Sequence, residues 1–221
     1  MNRTQLLEQL ADYIVSLPRA HPLRVAIDGV DAAGKTVLAN ELVQPLKARE
    51  AHVIRASVDG FHNPRQVRYR RGQDSPEGYY LDSFDYAALE TYLLKPLGPD
   101  GSLEYRAAAF DYRTDSPVDA PLQRARMDSI LLFDGIFLLR PEIASYWDLS
   151  IFVHVDFDIS VQRGVQRYQE LFGESDTVHQ QYLQRYVPGQ RLYLQSCRPI
   201  ERANIVIDNN DLLHPVILKF P

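Results

Sequence analysis

The sequence predicts an α/β fold of three layers, a mostly parallel sheet with helices on both faces. Two observations predict it. Short, nearly all-apolar runs alternate with helical segments, as strands buried on both faces do. The first of those runs then meets a glycine-rich loop that opens a helix. In such a fold ligands are expected at the carboxyl ends of the strands.

Residues 4–17 place Leu6, Leu7, Leu10, Tyr13, Ile14 and Leu17 near one face of an amphipathic helix, which Pro18 and Pro22 end. RVAIDG (24–29) is the first strand, and GKTVLANELV reads as a helix that Pro45 kinks or ends. AHVIRASVDGF (51–61) is a second strand ending in Asp59-Gly60. Residues 62–82, polar and rich in arginine and tyrosine, read as a surface segment. FDYAALETYLLKPL (84–97) is helical and 101–113 forms a small hairpin. SILLFDGIFLL (129–139) is a buried strand ending at Asp134-Gly135, and LSIFVHVD (149–156) is another. Residues 158–171 and 176–196 read as helices split by Phe172-Gly173-Glu174-Ser175, with Pro188-Gly189 interrupting the second. NIVID (204–208) is the last strand.

The chain has 221 residues, 45% of them hydrophobic and 24% charged, enough for one domain over 1–221 with a sizeable core. There is no repeat, low-complexity tract or linker. One cysteine, Cys197, excludes an intramolecular disulfide and a cysteine zinc cage. MNRTQLLEQLADYIV keeps Glu8 and Asp12 and has no apolar h-region, so no signal peptide is expected. No apolar run approaches the roughly 18 to 20 residues of a membrane helix. The expectation is a cytoplasmic protein without membrane partners. With 24 Lys+Arg against 29 Asp+Glu the net charge is −5, which argues against a nucleic-acid partner. Arginines clustered at 65, 68, 70 and 71, and spread between Arg163 and Arg202, suit a small anionic ligand instead.

Residues 29–36, Gly-Val-Asp-Ala-Ala-Gly-Lys-Thr, complete the pattern G-x-x-x-x-G-K-[ST]. Gly29 permits the reversal after the strand, and Gly34 lets the backbone approach phosphate oxygens. Successive N–H groups and the helix N-terminus then form an anion-binding concavity. Lys35 adds a charge for the β- and γ-phosphates, and Thr36 offers a hydroxyl to Mg²⁺. The nucleotide-contacting set is Gly29, Asp31, Ala32, Ala33, Gly34, Lys35, Thr36 and Val37, with ATP and Mg²⁺ as the implied cofactors. A guanine-reading N-K-x-D is absent. Asp59 and Asp134 end their strands at the same sheet edge as Lys35.

The ordered series GVDAAGKT, VDGFH, LDSFD, FDY, LLFDGI and a late R-x-x-x-R helix resembles the phosphoribulokinase/uridine kinase family over roughly residues 24–208. The resemblance implies a P-loop NTPase fold with a short helical lid over about 163–190 and a substrate-side insert over about 62–82. It makes Asp59 the catalytic aspartate, a ligand of Mg²⁺ and the acceptor of the attacking hydroxyl's proton. Asp134 stands where uridine kinases usually have glutamate and completes the metal set with Thr36 and Asp59, its shorter side chain acting through water. Asp82 matches the aspartate that accepts from ribose hydroxyls; the alternatives are an N-cap for the helix starting near Phe84, and Asp85 as the reader. Tyr112 lines the substrate pocket or the core of a hairpin. His62 contacts substrate or simply packs. Arg163 and Arg167, one helical turn apart, are the lid arginines that neutralise the transferring group, and Arg163 also touches substrate.

Two departures from the uridine kinase pattern stand out. Asp115 lies near the place of a histidine that helps read the pyrimidine, and the insert NPRQVRYRRGQDSPEG carries four arginines that suit an anionic acceptor. The expected activity is ATP-dependent phosphorylation of a small-metabolite hydroxyl, most simply a nucleoside. Pantothenate, a sugar or a sugar phosphate are the rival acceptors, and a thymidylate-kinase-like enzyme is a weaker rival suggested by the loop alone. A nucleotide-dependent regulatory protein is the reading from another class. Related uridine kinases self-associate; no surface feature of this sequence marks a homo-oligomer interface.

Overall fold

The computed structural model describes residues 1–172 and 176–221. Helix α1 (Arg3–Ser16) begins with a capping box, Asn2 accepting from the Gln5 amide while Gln5 returns a bond to the Asn2 amide. Strand β1 (Leu23–Gly29) is buried along its whole length. Helices α2 (Lys35–Glu41) and α3 (Val43–Ala48) replace the single expected helix. The break falls at Leu42, so Pro45 lies in the first turn of α3, where its missing N–H costs no helical bond. Strand β2 (His52–Ser57) runs into a 3₁₀ turn over Val58–Phe61 that contains Asp59.

The insert is more ordered than a polar surface segment. It holds α4 (Arg65–Arg68) and α5 (Pro76–Asp82), and it buries Tyr79 and Asp82. Helix α6 (Tyr86–Leu89), capped by Asp85, continues as a π-helical turn over Glu90–Leu94. The hairpin expected within 101–113 does not form there. Instead β3 (Glu104–Tyr105) pairs with a distant strand, and β4 (Phe110–Asp111) pairs with β5 (Ser116–Pro117); the partner of β3 is β6 (Gln123–Arg124). Both ribbons need residues beyond 113.

Strands β7 (Ser129–Asp134) and β8 (Leu149–His154) follow, then α7 (Phe157–Phe172), α8 (Asp176–Gln181) and a π-helical turn over Tyr182–Tyr186. The expected helix break at 172–175 falls largely outside the described residues. Helix α9 (Val187–Cys197) holds Pro188 in its first turn, so Pro188-Gly189 opens a helix rather than interrupting one. Helix α10 (Pro199–Arg202), β9 (Ile205–Asp208) and β10 (Val216–Lys219) complete the chain.

The sheet order is β10-β9-β8-β1-β7-β2. All its pairings are parallel except that of β10, an antiparallel edge strand that the sequence reading did not foresee. Alternation along each strand feeds two cores. Val25, Ile27, Ile130, Leu132 and Ile151 meet Leu6, Leu10 and Ile14 of α1 with Leu38, Leu42 and Leu46 on one face. Ala26, Leu131, Phe133 and Phe152 meet Leu89, Leu93, Phe137 and Tyr193 on the other. These are the three layers expected.

The register places the chemistry. Asp134 stands level with Ile27 of β1 and Ser57 of β2, so the ends of three neighbouring strands converge where the phosphate loop begins. No helix among the described residues is long and apolar enough to cross a membrane.

Candidate active site

The loop from Gly29 to Thr36 is held by close backbone contacts. A Cβ on Gly29 would lie 2.3 Å from the Val153 carbonyl oxygen, and Gly34 caps α2 with φ 94°, so side chains at both positions are strained. The amide of Asn209, from the turn after β9, reaches the Ala33 carbonyl at 2.7 Å and braces the loop from outside. Lys35 is buried, and its ammonium donates to the Val30 carbonyl at 2.6 Å. Burial pushes its pKa down, opposed by the carboxylates of Asp31, Asp28, Asp134 and Asp59.

Thr36 donates to Asp134 Oδ2 at 2.5 Å, and Arg55 Nη2 donates to Asp134 Oδ1 at 2.7 Å. Both oxygens of this buried carboxylate are therefore engaged, and the hydroxyl of Ser57 adds a bond to the Asp134 carbonyl at 3.1 Å. Asp59 opens into the cleft beyond Ser57. Partial desolvation by the cleft walls raises its pKa, the negative charge of Asp134 raises it further, and Lys35 and Arg167 oppose the rise.

Thr36, Asp59 and Asp134 offer hard oxygen donors within one corner of the cleft. Among the described residues no group of three or more His, Cys, Asp or Glu side chains could hold a metal. Mg²⁺ in phosphoryl-transfer sites is generally bound by one or two carboxylates plus phosphate oxygens and keeps several waters. Both oxygens of Asp134 are bonded within the protein, whereas the Asp59 side chain is exposed to the cleft.

The two lid arginines part company. Arg167 is exposed and close enough to Asp59 to lower its pKa. Arg163 turns the other way, donating to the carbonyls of Asn209 at 3.0 Å and Asn210 at 2.7 Å. These bonds tie α7 to the turn after β9.

On the acceptor side, His62 is sandwiched between Phe84 and Tyr112, ring centroids 4.6 and 4.8 Å away, with Nδ1 3.1 Å from the Asp59 carbonyl. Burial lowers its pKa to about 4, so it is neutral at pH 7 and its Nδ1–H donates to that carbonyl. Tyr112 accordingly packs on His62 beside Asp59. Asp82 is not an open ribose acceptor here: Arg70 bonds Oδ1 at 2.5 Å and Arg71 bonds Oδ2 at 2.8 Å. Burial alone would raise its pKa, yet the two guanidiniums hold it below the usual value. Nor is Asp82 an N-cap, because that role belongs to Asp85, which accepts from the Ala88 amide at 2.9 Å. Asp115 accepts from the Arg65 amide at 2.8 Å and from Arg68 at 3.0 Å. Three of the four insert arginines thus pair with internal carboxylates. Where insert and turn meet, an open cavity of about 810 Å³ is lined by Arg65, Gln66, Tyr69, Gln73 and Asp115.

Sequence reasoning missed several residues that shape this site. Asp28 is fully buried, accepting from the Gly29 amide at 2.8 Å and from the Tyr193 hydroxyl. Burial raises its pKa to about 6. Arg185 donates to the carbonyls of Arg68, Gly72, Gln73 and Ser75, clamping the insert loop from the far side of the lid. Arg113 lies near enough to Asp59 to feel its charge. The hint for Asp28 was a carboxylate inside an otherwise apolar strand; Arg185 gave none, since its partners are backbone atoms.

A parallel sheet whose glycine loop, lysine, threonine and two strand-end aspartates meet at one edge defines a P-loop kinase. The sequence model of the phosphoribulokinase/uridine kinase family matches residues 25–211, and the chain belongs to that family. It is 27% identical to the uridine kinase of Lactobacillus helveticus over 194 residues, covering 84% of this chain and 86% of that one. It is also 27% identical to the pantothenate kinase of Lacticaseibacillus casei over 179 residues, 77% of this chain and 57% of that one. The uridine-cytidine kinase B of Dictyostelium discoideum is 26% identical over 148 residues, 66% of this chain and 58% of that protein's length. In three dimensions the chain resembles a possible uridine kinase from Bacillus stearothermophilus, with a TM-score of 0.73, 22% identity, and 92% and 97% of the two chains covered.

Proposed function

We propose that this P-loop kinase uses ATP and Mg²⁺ to phosphorylate a hydroxyl of a small metabolite, and that the acceptor is nucleoside-like. The observation that carries the reading is the meeting of Lys35, Thr36, Asp59 and Asp134 at the ends of β1, β2 and β7. Mg²⁺ bound with ATP supplies charge neutralisation between phosphate oxygens. Lys35, released from the Val30 carbonyl, serves the phosphates together with the loop amides. Asp59 orients the acceptor hydroxyl and takes its proton. Its raised pKa makes it a stronger base than an ordinary aspartate, in a reaction governed mainly by positioning and charge. Arg167 supplies positive charge on the cleft side of the lid.

The nucleoside-like acceptor is supported by the uridine kinase relatives and by the cluster of tilted rings, Phe84, His62 and Tyr112, beside Asp59. A pre-phosphorylated acceptor loses its main argument, because Arg68, Arg70 and Arg71 are paired within the protein. With Asp82 occupied, recognition of a ribose diol by that residue requires Arg70 and Arg71 to let go.

The test is ADP release with Mg·ATP against uridine, cytidine, nicotinamide riboside, pantothenate, sugars and sugar monophosphates, beside Lys35→Ala. A riboside hit supports the proposal, whereas activity confined to a sugar phosphate overturns the acceptor class. Asp59→Asn should lower transfer by roughly 10²- to 10⁴-fold while ATP affinity stays within a few-fold. Transfer at the wild-type rate in that variant would remove Asp59 from the mechanism.

A further inference from the structure

The second variable residue of the phosphate loop, Asp31, makes contacts that nucleotide binding does not require. Its amide donates to Gln190 Oε1 at 2.6 Å, and its carbonyl accepts from the Ser160 hydroxyl at 2.7 Å. Its carboxylate oxygen Oδ2 accepts from the Tyr79 hydroxyl at 2.6 Å and from Gln190 Nε2 at 3.3 Å. Tyr79 belongs to α5 of the acceptor-side insert, Ser160 to α7 at the entrance of the lid, and Gln190 to α9 where the lid returns. One loop residue therefore joins the three elements that border the cleft.

These elements are themselves fastened together. Gln190 Nε2 also donates to the Tyr186 carbonyl at 3.0 Å, and the Tyr79 ring packs on Phe137 and Tyr186 at 5.3 and 4.9 Å. Arg185, one residue before Tyr186, holds the insert loop by its carbonyls and lies over the Tyr69 ring. A shift of insert or lid return thus pulls on Asp31. At the other end, the Asp31 carboxylate acts on Lys35 more strongly than those of Asp28, Asp134 and Asp59.

We infer that Asp31 is a positioning residue through which the seating of the insert and the lid return sets the phosphate loop and its lysine. The inference rests on the kinase reading above. It makes nucleotide affinity depend on hydroxyl and amide groups well outside the loop motif. Tyr79→Phe keeps the ring and loses the donor; Gln190→Leu keeps the volume and loses both bonds to Asp31.

The experiment measures calorimetric affinity for Mg·AMPPNP and amide hydrogen exchange of the nucleotide-free protein, in wild type and both variants. Each variant should bind the analogue about tenfold more weakly, the size expected for losing a hydrogen bond to a charged group. Exchange should quicken at residues 30–36, away from the substituted helix, and stay unchanged in α1. A packing defect alone would quicken exchange around 76–82 or 187–197 without reaching the loop or the affinity. Wild-type affinity and loop protection in both folded variants would overturn the coupling. A wild type that fails to bind Mg·AMPPNP would overturn the kinase reading, and the inference with it.

Discussion

The two sides of the cleft are built on opposite plans. The phosphate side is a contiguous stretch, Gly29 to Thr36, seated on three adjacent parallel strands whose register leaves it little freedom. The acceptor side is assembled from pieces far apart in the chain: Asp82 with Arg70 and Arg71, Asp115 with Arg68, and Arg185 across the lid. The phosphate side holds Lys35 and Thr36 by one bond each, to the Val30 carbonyl and to Asp134, whereas three of the four insert arginines on the other side are paired with internal carboxylates. Chemistry common to a family can be stored in a rigid local motif, whereas the acceptor side holds its charges in internal pairs.

The sharpest break in that comparison is between the two lid arginines. Arg167→Ala should lower turnover about 10²- to 10³-fold, the scale of losing a charge aimed at the transition state. Arg163→Ala should leave turnover within a few-fold and lower stability instead, because its bonds run to the Asn209 and Asn210 carbonyls. Steady-state kinetics and urea unfolding of the pair separate the roles; equal losses of turnover would erase the distinction.

A smaller effect concerns Asp28, at the root of the phosphate side. Its pKa stands near 6 in the folded protein against 3.8 ordinarily, so between those values the folded state holds a proton that the unfolded state has released. Stability must therefore fall as pH rises from about 4 to 6. Relative to wild type, Asp28→Asn should gain about 3 kcal/mol across that window, the equivalent of two pKa units. Parallel stability curves for the two proteins would show the folded-state pKa to be ordinary.

The smallest effect belongs to the acceptor side. Arg185→Met keeps much of the apolar stem but frees carbonyls of residues 68, 72, 73 and 75, and should cost about 2 kcal/mol in urea unfolding. Hydrogen exchange should loosen over 68–75 before it does in the sheet. A uniform loosening would mean that insert and sheet unfold as one unit.

The same contrast explains what could be read from the sequence. The α/β class, the loop and the strand-end position of Asp134 were legible because each depends on local periodicity and on side chains at the ends of buried runs, whereas the strand expected over 51–61 stops at Ser57 and leaves Asp59 in the turn beyond it. The pairing of Asp82 with Arg70 and Arg71 was not legible, because those partners, eleven and twelve residues earlier, carry no pattern that distinguishes ion pairs from a polar surface. Arg163 and Arg167 share a spacing that puts both on one helix face, and nothing in it tells which long side chain reaches the carbonyls of Asn209 and Asn210 and which lies near Asp59. The ribbons over 104–124 escaped a hairpin reading because Phe110 and Glu104 pair with strands lying beyond the segment considered. The antiparallel edge strand β10 has exposed Val216 and Leu218, without the continuous burial that marks a central strand.

The bond from Lys35 to the Val30 carbonyl has a consequence for discrimination among anions. The ammonium spends one of its three N–H donors on that carbonyl, so an incoming anion meets at most two of them while the contact stands. A small ion such as chloride or inorganic phosphate offers few compensating bonds, whereas a triphosphate engages the loop amides at several oxygens at once. The self-contact thus trims what a lone small anion can gain from the lysine, a loss that a chain of phosphates makes up on the loop amides.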